Sequence, residues 1–156
     1  MIRKMKKQII AKNKRAHFDF FIEEVYEAGI ALFGSEVKSL RTGKSNITES
    51  YGDISNNEVY LVNSYIAEYS GANQFNHAPR RQRKLLLKKK EINKLIGAIQ
   101  KKGYSLVPIC LYFNEKGRVK IEFGLGRGKK LYDKRADKKE KDWNKDKARI
   151  LKDFNK

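Results

Sequence analysis

NHAPRRQRKLLLKKK, residues Asn76–Lys90, holds seven Lys or Arg and no acid. Its three adjacent leucines, Leu85 to Leu87, need cover from water, so the stretch is not a solvated loop. Seven cations cannot all be buried unpaired, so it is not a core segment either. Both constraints are met by a basic edge. The leucines pin it to a hydrophobic core, while Arg80, Arg81, Arg83, Lys84 and Lys88 to Lys90 face a polyanion.

The rest of the charge follows the same plan. The 156 residues suit one compact domain with a tail, and the formal net charge is +18. Met1–Ala16 carries seven basic residues and no acid, and Arg127–Lys156 carries thirteen basic and six acidic residues. With Arg80–Lys90 these segments carry +21, so the remainder sums to −3. A near-neutral core with three cationic segments is a nucleic-acid footprint rather than a generally basic enzyme. The basic runs lack the continuous apolar face of a membrane-surface helix. No apolar stretch is long enough to span a bilayer. Ile9-Ile10-Ala11 is too short for a signal-peptide core. Cys110 stands alone, which rules out a disulfide or a cysteine zinc site. A cytoplasmic, membrane-free protein is expected.

Around the basic edge the pattern reads as short strands and one firm helix. Residues 1–16 form an arm, expected to be mobile until it meets its partner. Phe18–Tyr26 alternates as a strand. Glu27-Ala28-Gly29 is expected to turn, with Ile30–Phe33 returning as a second strand. Ser35 is the expected N-cap of a short helix that Gly43 ends, with Glu36 at its positive start. Val37 and Leu40 face inward there, and Lys38, Arg41 and Lys44 outward. Tyr51–Ile54 and Glu58–Tyr65 form a hairpin turned by Ser55-Asn56-Asn57. Ala67–Gln74 is polar and expected as a loop. Ile92, Leu95, Ile96 and Ile99 fall at helical spacing, and Gly103 stops that helix. Tyr104–Phe113 is an apolar strand in which Pro108 requires an edge or a bulge. Arg118–Phe123 alternates as its partner. Gly124–Lys130 is expected to leave the sheet as a glycine-rich basic loop, with Arg127, Lys129 and Lys130 free to hold RNA phosphate. The spacing is wrong for a nucleotide-binding phosphate loop. Residues 17–130 are therefore predicted to be mainly β with α, an OB-type barrel of about six strands with flanking helices. Residues 131–156 form a basic tail, either a disordered solubilising segment or a helix that orders on binding.

His17 and His77 are the only histidines, and no catalytic or metal-ligand constellation surrounds them. Both are expected to be solvated or to face RNA. No enzymatic activity, cofactor or metal is expected.

The ordered motifs Asn13-Lys14-Arg15-Ala16, Phe21-Ile22-Glu23-Glu24, Glu27-Ala28-Gly29-Ile30, Gly34-Ser35-Glu36-Val37-Lys38-Ser39-Leu40-Arg41, Arg83-Lys84-Leu85-Leu86-Leu87, Gly128-Lys129-Lys130 and Asp133-Lys134-Arg135 resemble SmpB. This is the bacterial family that binds transfer-messenger RNA, the SsrA RNA. The resemblance runs from about Lys12 to the C-terminus. It implies an OB-type barrel with flanking helices and no catalysis. It implies binding to the tRNA-like domain of transfer-messenger RNA and delivery, with elongation factor Tu carrying GTP, to stalled ribosomes for trans-translation. Carried over by motif, the RNA-binding set is Asn13, Lys14, Arg15, Glu27, Lys38, Arg41, Arg83, Lys84, Leu86, Arg118 and Lys120. A carboxylate is repelled by phosphate, so Glu27 is expected to accept from a base or a 2′-hydroxyl, or to order an arginine. The implied tail enters the ribosomal decoding centre and the empty mRNA channel. Tyr132, Asp133, Lys134, Arg135, Lys138 and Lys139 would meet rRNA, and Trp143, Ile150 and Leu151 would anchor the helix. Two positions depart from the family. Tyr132 stands where some relatives carry His, so it stacks but carries no charge. Gly126 stands in place of an expected Ala and is expected to loosen a hinge between barrel and tail. The alternative is a ribosomal or general structured-RNA-binding protein.

Overall fold

The computed structural model describes residues 7–71 and 76–154. The first six residues of the basic arm and the part of the polar loop at 72–75 lie outside these. In chain order the elements are β1 (Gln8–Lys12), α1 (Ala16–Asp19), β2 (Phe20–Ile30), α2 (Gly34–Arg41), β3 (Ser45–Asn46), β4 (Tyr51–Ser55) and β5 (Glu58–Val62). They continue with β6 (Tyr65–Ile66), β7 (Arg83–Leu86), α3 (Lys89–Lys102), β8 (Ser105–Phe113), β9 (Val119–Gly128) and α4 (Leu131–Phe154).

The strands β8-β4-β5-β7-β2-β9 are neighbours in that order, and β9 pairs back onto β8. The six strands thus close into a barrel, which removes exposed sheet edges. β1 adds to the outside of β8, and β3 pairs with β6 as a separate small sheet. Val59, Leu61, Leu85, Leu106, Leu111, Ile121, Phe123 and Leu125 fill the interior. Ile92 and Leu95 of α3 and Leu40 of α2 extend this core. The hairpin turn is two residues, Asn56 and Asn57, with φ of 52° and 59°, as the twist of the flanking strands demands. Gly103 at φ 64° ends α3.

Three local expectations give way to barrel geometry, and the choice left open at Pro108 is resolved by it. Gln8–Lys12 of the arm is a strand, paired with Phe113 to Cys110 of β8. Glu27-Ala28-Gly29 does not turn: β2 runs through it, with Gly29 between Leu86 on β7 and Lys120 on β9. The bend comes earlier, at a bulge between Ile22 and Glu24. Pro108 lies in a strand paired on both sides, beside the register shift between Pro108 and Cys110, so it marks a bulge and not an edge. Gly124–Gly128 stays in the sheet as the end of β9. There a Cβ on Gly126 would sit 2.5 Å from the Phe21 carbonyl oxygen. The glycine lets β9 close on β2, and no hinge lies at that point.

The β4–β8 seam rests on one register pair, Gly52 with Leu106. A Cβ on Gly52 would lie 2.5 Å from Leu106 Cβ. Gly52→Ala is therefore expected to destabilise the barrel by about 1–3 kcal/mol, read as a lower urea midpoint with an unchanged slope.

Candidate nucleic-acid interface

The basic edge is anchored by arginine as much as by leucine. β7 alternates: Arg83 and Leu85 point inward, while Leu86 is 55% exposed. Arg83 is fully buried, and its charge is met by the equally buried Glu36 of α2. Its Nη1 donates to the Ser64 carbonyl at 2.9 Å and to Ser64 Oγ at 2.8 Å, and Nη2 donates to the Pro79 carbonyl at 3.2 Å. Glu36 Oε1 accepts from the Phe33 N–H at 2.8 Å and from Arg81 Nη2 at 2.5 Å. Burial pushes the Glu36 carboxyl up, but the donors from Arg81, Phe33 and Arg83 outweigh it and hold the group below the ordinary carboxylate range. Glu36 is thus an internal counter-ion rather than a solvated charge at a helix start. Arg83 is not available to RNA, because its parity with Leu85 turns it into the barrel.

His77 is likewise structural. Its buried ring bridges Ser35 Oγ at 2.9 Å and the Ile66 carbonyl at 3.0 Å. Since a carbonyl only accepts, Nε2 carries the proton.

At one end of the β2–β9 ladder, Leu86, Gly29 and Lys120 lie side by side across three strands. Glu27 is two residues away on the same face of β2. Tyr112 donates its hydroxyl to Glu27. Burial first, and the carboxylate second, push the Tyr112 phenol far up, so it stays a neutral donor. Lys7 lies 4.7 Å from the Tyr112 ring and 3.8 Å from Glu122. Lys7, Glu27, Tyr112, Lys116, Arg118 and Lys120 line one depression. The neighbouring groove runs from Leu86, Arg118 and Lys120 to Leu32 and Val37 beside α2. Glu27, Leu86, Arg118 and Lys120 are therefore brought together. Lys7 and Tyr112 join them, although the sequence did not single them out. The cue for Tyr112 was its place in the β8 alternation opposite Lys120.

Asn13 shapes a turn instead. Its amide donates to the Pro108 carbonyl at 2.9 Å and its oxygen accepts the Arg15 N–H at 3.2 Å. Lys14 and Arg15 stay exposed. Lys38 and Arg41 are exposed on α2, and Lys84 is half-buried with Glu58 at 3.4 Å.

The opposite end of the same ladder pairs Phe20 with Gly128. Nine strand residues separate it from Gly29, roughly 30 Å. Lys129 is nearly buried there, with its ammonium donating to the His17 carbonyl at 2.8 Å and to Asp137. Lys134 pairs with Asp19 at 3.1 Å. Arg15 first, then Lys134, hold the Asp19 carboxyl low against the opposing push of burial. Asp133 accepts the Lys130 N–H at 3.3 Å and serves the helix start. Lys129 is thus a fastener between barrel and tail, while Arg127 and Lys130 remain accessible.

Residues 131–154 form one helix that buries no side chain. Tyr132, Arg135, Lys138, Lys139, Trp143, Ile150 and Leu151 are all exposed on it. Among the described residues no three His, Cys, Asp or Glu are grouped to hold a metal, and no helix is long and apolar enough to cross a membrane.

A closed small barrel with a cationic outer face and a bare basic helix defines a nucleic-acid-binding protein. The family model described as SmpB protein matches residues 10–153. The chain belongs to that family. It is 59% identical over 143 residues to an SsrA-binding protein of Caulobacter vibrioides, covering 92% of this chain and 94% of the relative. It is 55% identical over 148 residues to the SsrA-binding protein of Novosphingobium aromaticivorans, covering 95% and 92%. A solved chain from a structure described as "tmRNA-SmpB: a journey to the center of the bacterial ribosome" is 48% identical with a TM-score of 0.62, over 81% of this chain and 85% of that one.

Proposed function

We propose that this chain is an RNA adaptor: it binds the tRNA-like domain of transfer-messenger RNA and brings it to stalled ribosomes for trans-translation. The observation that carries the reading is the face on which Lys7, Arg118 and Lys120 surround Glu27 and Leu86. The SsrA-binding relatives supply the RNA class. Three cations provide phosphate affinity, while Leu86 offers an apolar contact to a base or ribose. Glu27, oriented by Tyr112, can accept from a 2′-hydroxyl or a base amino group.

In this reading Lys14, Arg15, Lys38, Arg41 and Lys84 add outlying phosphate contacts, and Arg127 and Lys130 serve the barrel end nearest the tail. α4 is the ribosomal element. Tyr132, Lys134, Arg135, Lys138 and Lys139 meet rRNA at the decoding centre, and Trp143, Ile150 and Leu151 anchor the helix in the empty mRNA channel. Elongation factor Tu with GTP travels in the delivered complex. The chain contributes binding and no chemistry.

The test is equilibrium binding of the full chain to the tRNA-like domain, with an elongator tRNA as competitor. Contact with six phosphates gives a log–log salt slope of about −5. Lys120→Glu replaces a contact with repulsion and is expected to weaken binding at least roughly tenfold, with a shallower slope. A flat salt response, or equal affinity for the elongator tRNA, overturns the proposal.

A further inference from the structure

Phe33 stands at the border of the RNA face. It occupies the N-cap position of α2, two residues before the expected Ser35, and the residue is 56% exposed. One face of the ring is covered by the Arg81 guanidinium, 4.0 Å from the ring centre. That guanidinium is fixed in place. Its Nη2 donates to the Ala31 carbonyl at 3.2 Å and to Glu36 Oε1 at 2.5 Å, and Nη1 donates to the Gln82 carbonyl at 3.3 Å. The same Glu36 oxygen accepts the backbone N–H of Phe33 at 2.8 Å. Ring and guanidinium are thus held in register by one carboxylate. Glu36 also serves Arg83, so two guanidiniums share one negative charge. One net positive charge remains behind an exposed aromatic face.

A free phenyl face with a cation on its far side is the arrangement that stacks a nucleobase. Its position suits the same ligand. Leu32, the preceding residue, and Val37, whose N–H bonds to the Phe33 carbonyl at 3.2 Å, line the groove that ends at Leu86, Arg118 and Lys120. An RNA strand lying on that groove passes Phe33. Lys38 and Arg41 stand exposed further along the same helix for the next phosphates. A paired, stacked duplex presents no free base face, so the occupant must be an unpaired base from a loop or bulge.

We propose that Phe33, backed by Arg81, is a stacking platform for one unpaired base of the bound RNA. The proposal rests on the RNA-adaptor reading and adds to it a specific contact outside the cationic patch. The probe is the tRNA-like domain of transfer-messenger RNA, with 2-aminopurine placed in turn at its unpaired loop positions. Full-length Phe33→Leu keeps apolar area and loses the π face, whereas Phe33→Trp enlarges it. Thermal melting equal to wild type confirms that both fold. Phe33→Leu is expected to weaken binding roughly 5- to 100-fold, the range for loss of one base–aromatic stack. Phe33→Trp should stay within about threefold of wild type. At one loop position, 2-aminopurine quenching should appear with wild type and vanish with Phe33→Leu. Unchanged affinity and quenching in Phe33→Leu overturn the platform and leave the adaptor reading standing. A wild-type chain with no preference over elongator tRNA sinks the adaptor reading and the platform with it.

Discussion

Replacing Glu36 with alanine destabilises this protein by roughly 3–5 kcal/mol, because it leaves a buried charge without a counter-ion. Arg83 has no route to water: it is fully buried in β7, with Leu85 beside it in the core. Without Glu36, the buried Arg83 guanidinium is left beside that of the partly buried Arg81 with no anion between them. Arg83→Met costs less. Glu36 Oε1 then keeps Arg81 and the Phe33 N–H, while Glu36 Oε2 and the Ser64 and Pro79 acceptors each lose a donor but no charge is left without a counter-ion. The double change Glu36→Leu with Arg83→Met removes both charges and should recover much of the single Glu36 loss. Urea unfolding of the three variants separates these cases. A cost for Glu36→Ala below that of Arg83→Met would rule out the uncompensated charge as the cause. The pH dependence has a definite sign. The folded Glu36 carboxyl lies below its ordinary value, so its stabilisation is complete above the unfolded-chain value of about 4.3 and is lost as pH falls through the lower folded value. Glu36→Gln should flatten that acid limb.

That ion pair also marks a boundary of what sequence alone could yield. Periodicity located the Asn56-Asn57 hairpin and α3 with its Gly103 stop; the barrel has about the expected number of strands, but Ile30–Phe33 is no separate strand and the basic edge supplies β7 in its place. Periodicity failed where closure of the barrel overrides local chemistry. Glu27-Ala28-Gly29 has the composition of a turn. Yet β2 runs straight through it, with Gly29 in register with Leu86 on one side and Lys120 on the other. Gly124 and Gly126 have the composition of a loop, but a sheet wrapped onto itself needs missing side chains where strands cross: a Cβ there would lie 2.6 Å from Ile22 Cγ2 and 2.5 Å from the Phe21 carbonyl oxygen. The arm became a strand because β8 is longer than β4 and leaves Cys110–Phe113 in need of a partner.

In the site, charge type was legible and charge orientation was not. A run of cations cannot say which of them turns inward. Arg83 and Lys129 were both read as ligands, and each is spent on an internal carboxylate. Strand parity gave the clue for Arg83. Nothing local gave it for Lys129, whose partners His17 and Asp137 lie at 112 and 8 residues' separation. Glu27, Leu86, Arg118 and Lys120 converge only because β7, β2 and β9 are neighbours, a fact of topology rather than of motif.

A chain ending at Lys130 should bind the tRNA-like domain within about threefold of wild type and lose tagging of stalled nascent chains entirely. The physical case is that α4 is held to the barrel by little. It buries no side chain, and its ties to the barrel include the pairs Lys129–Asp137 and Lys134–Asp19. Both barrel-side groups keep partners after truncation: Asp19 retains Arg15 at 3.2 Å, and Lys129 retains the His17 carbonyl at 2.8 Å. Stability should therefore change by no more than about 0.5 kcal/mol, as for a surface change. The removed segment carries ten basic and six acidic residues, so part of the long-range attraction goes with it. The groove around Leu86, Arg118 and Lys120 lies at the far end of the β2–β9 ladder, well beyond a Debye length of about 8 Å. The loss on the ribosome has the opposite logic. Twenty-four helical residues reach about 36 Å, and Trp143, Ile150, Leu151 and Phe154 stand exposed on them. A lone helix of this length with bare apolar groups is marginal in water and gains most from a partner that covers it. Equal loss of tRNA-like-domain affinity and of tagging would place α4 in the RNA site. Intact tagging by the truncated chain would deny the helix any ribosomal role.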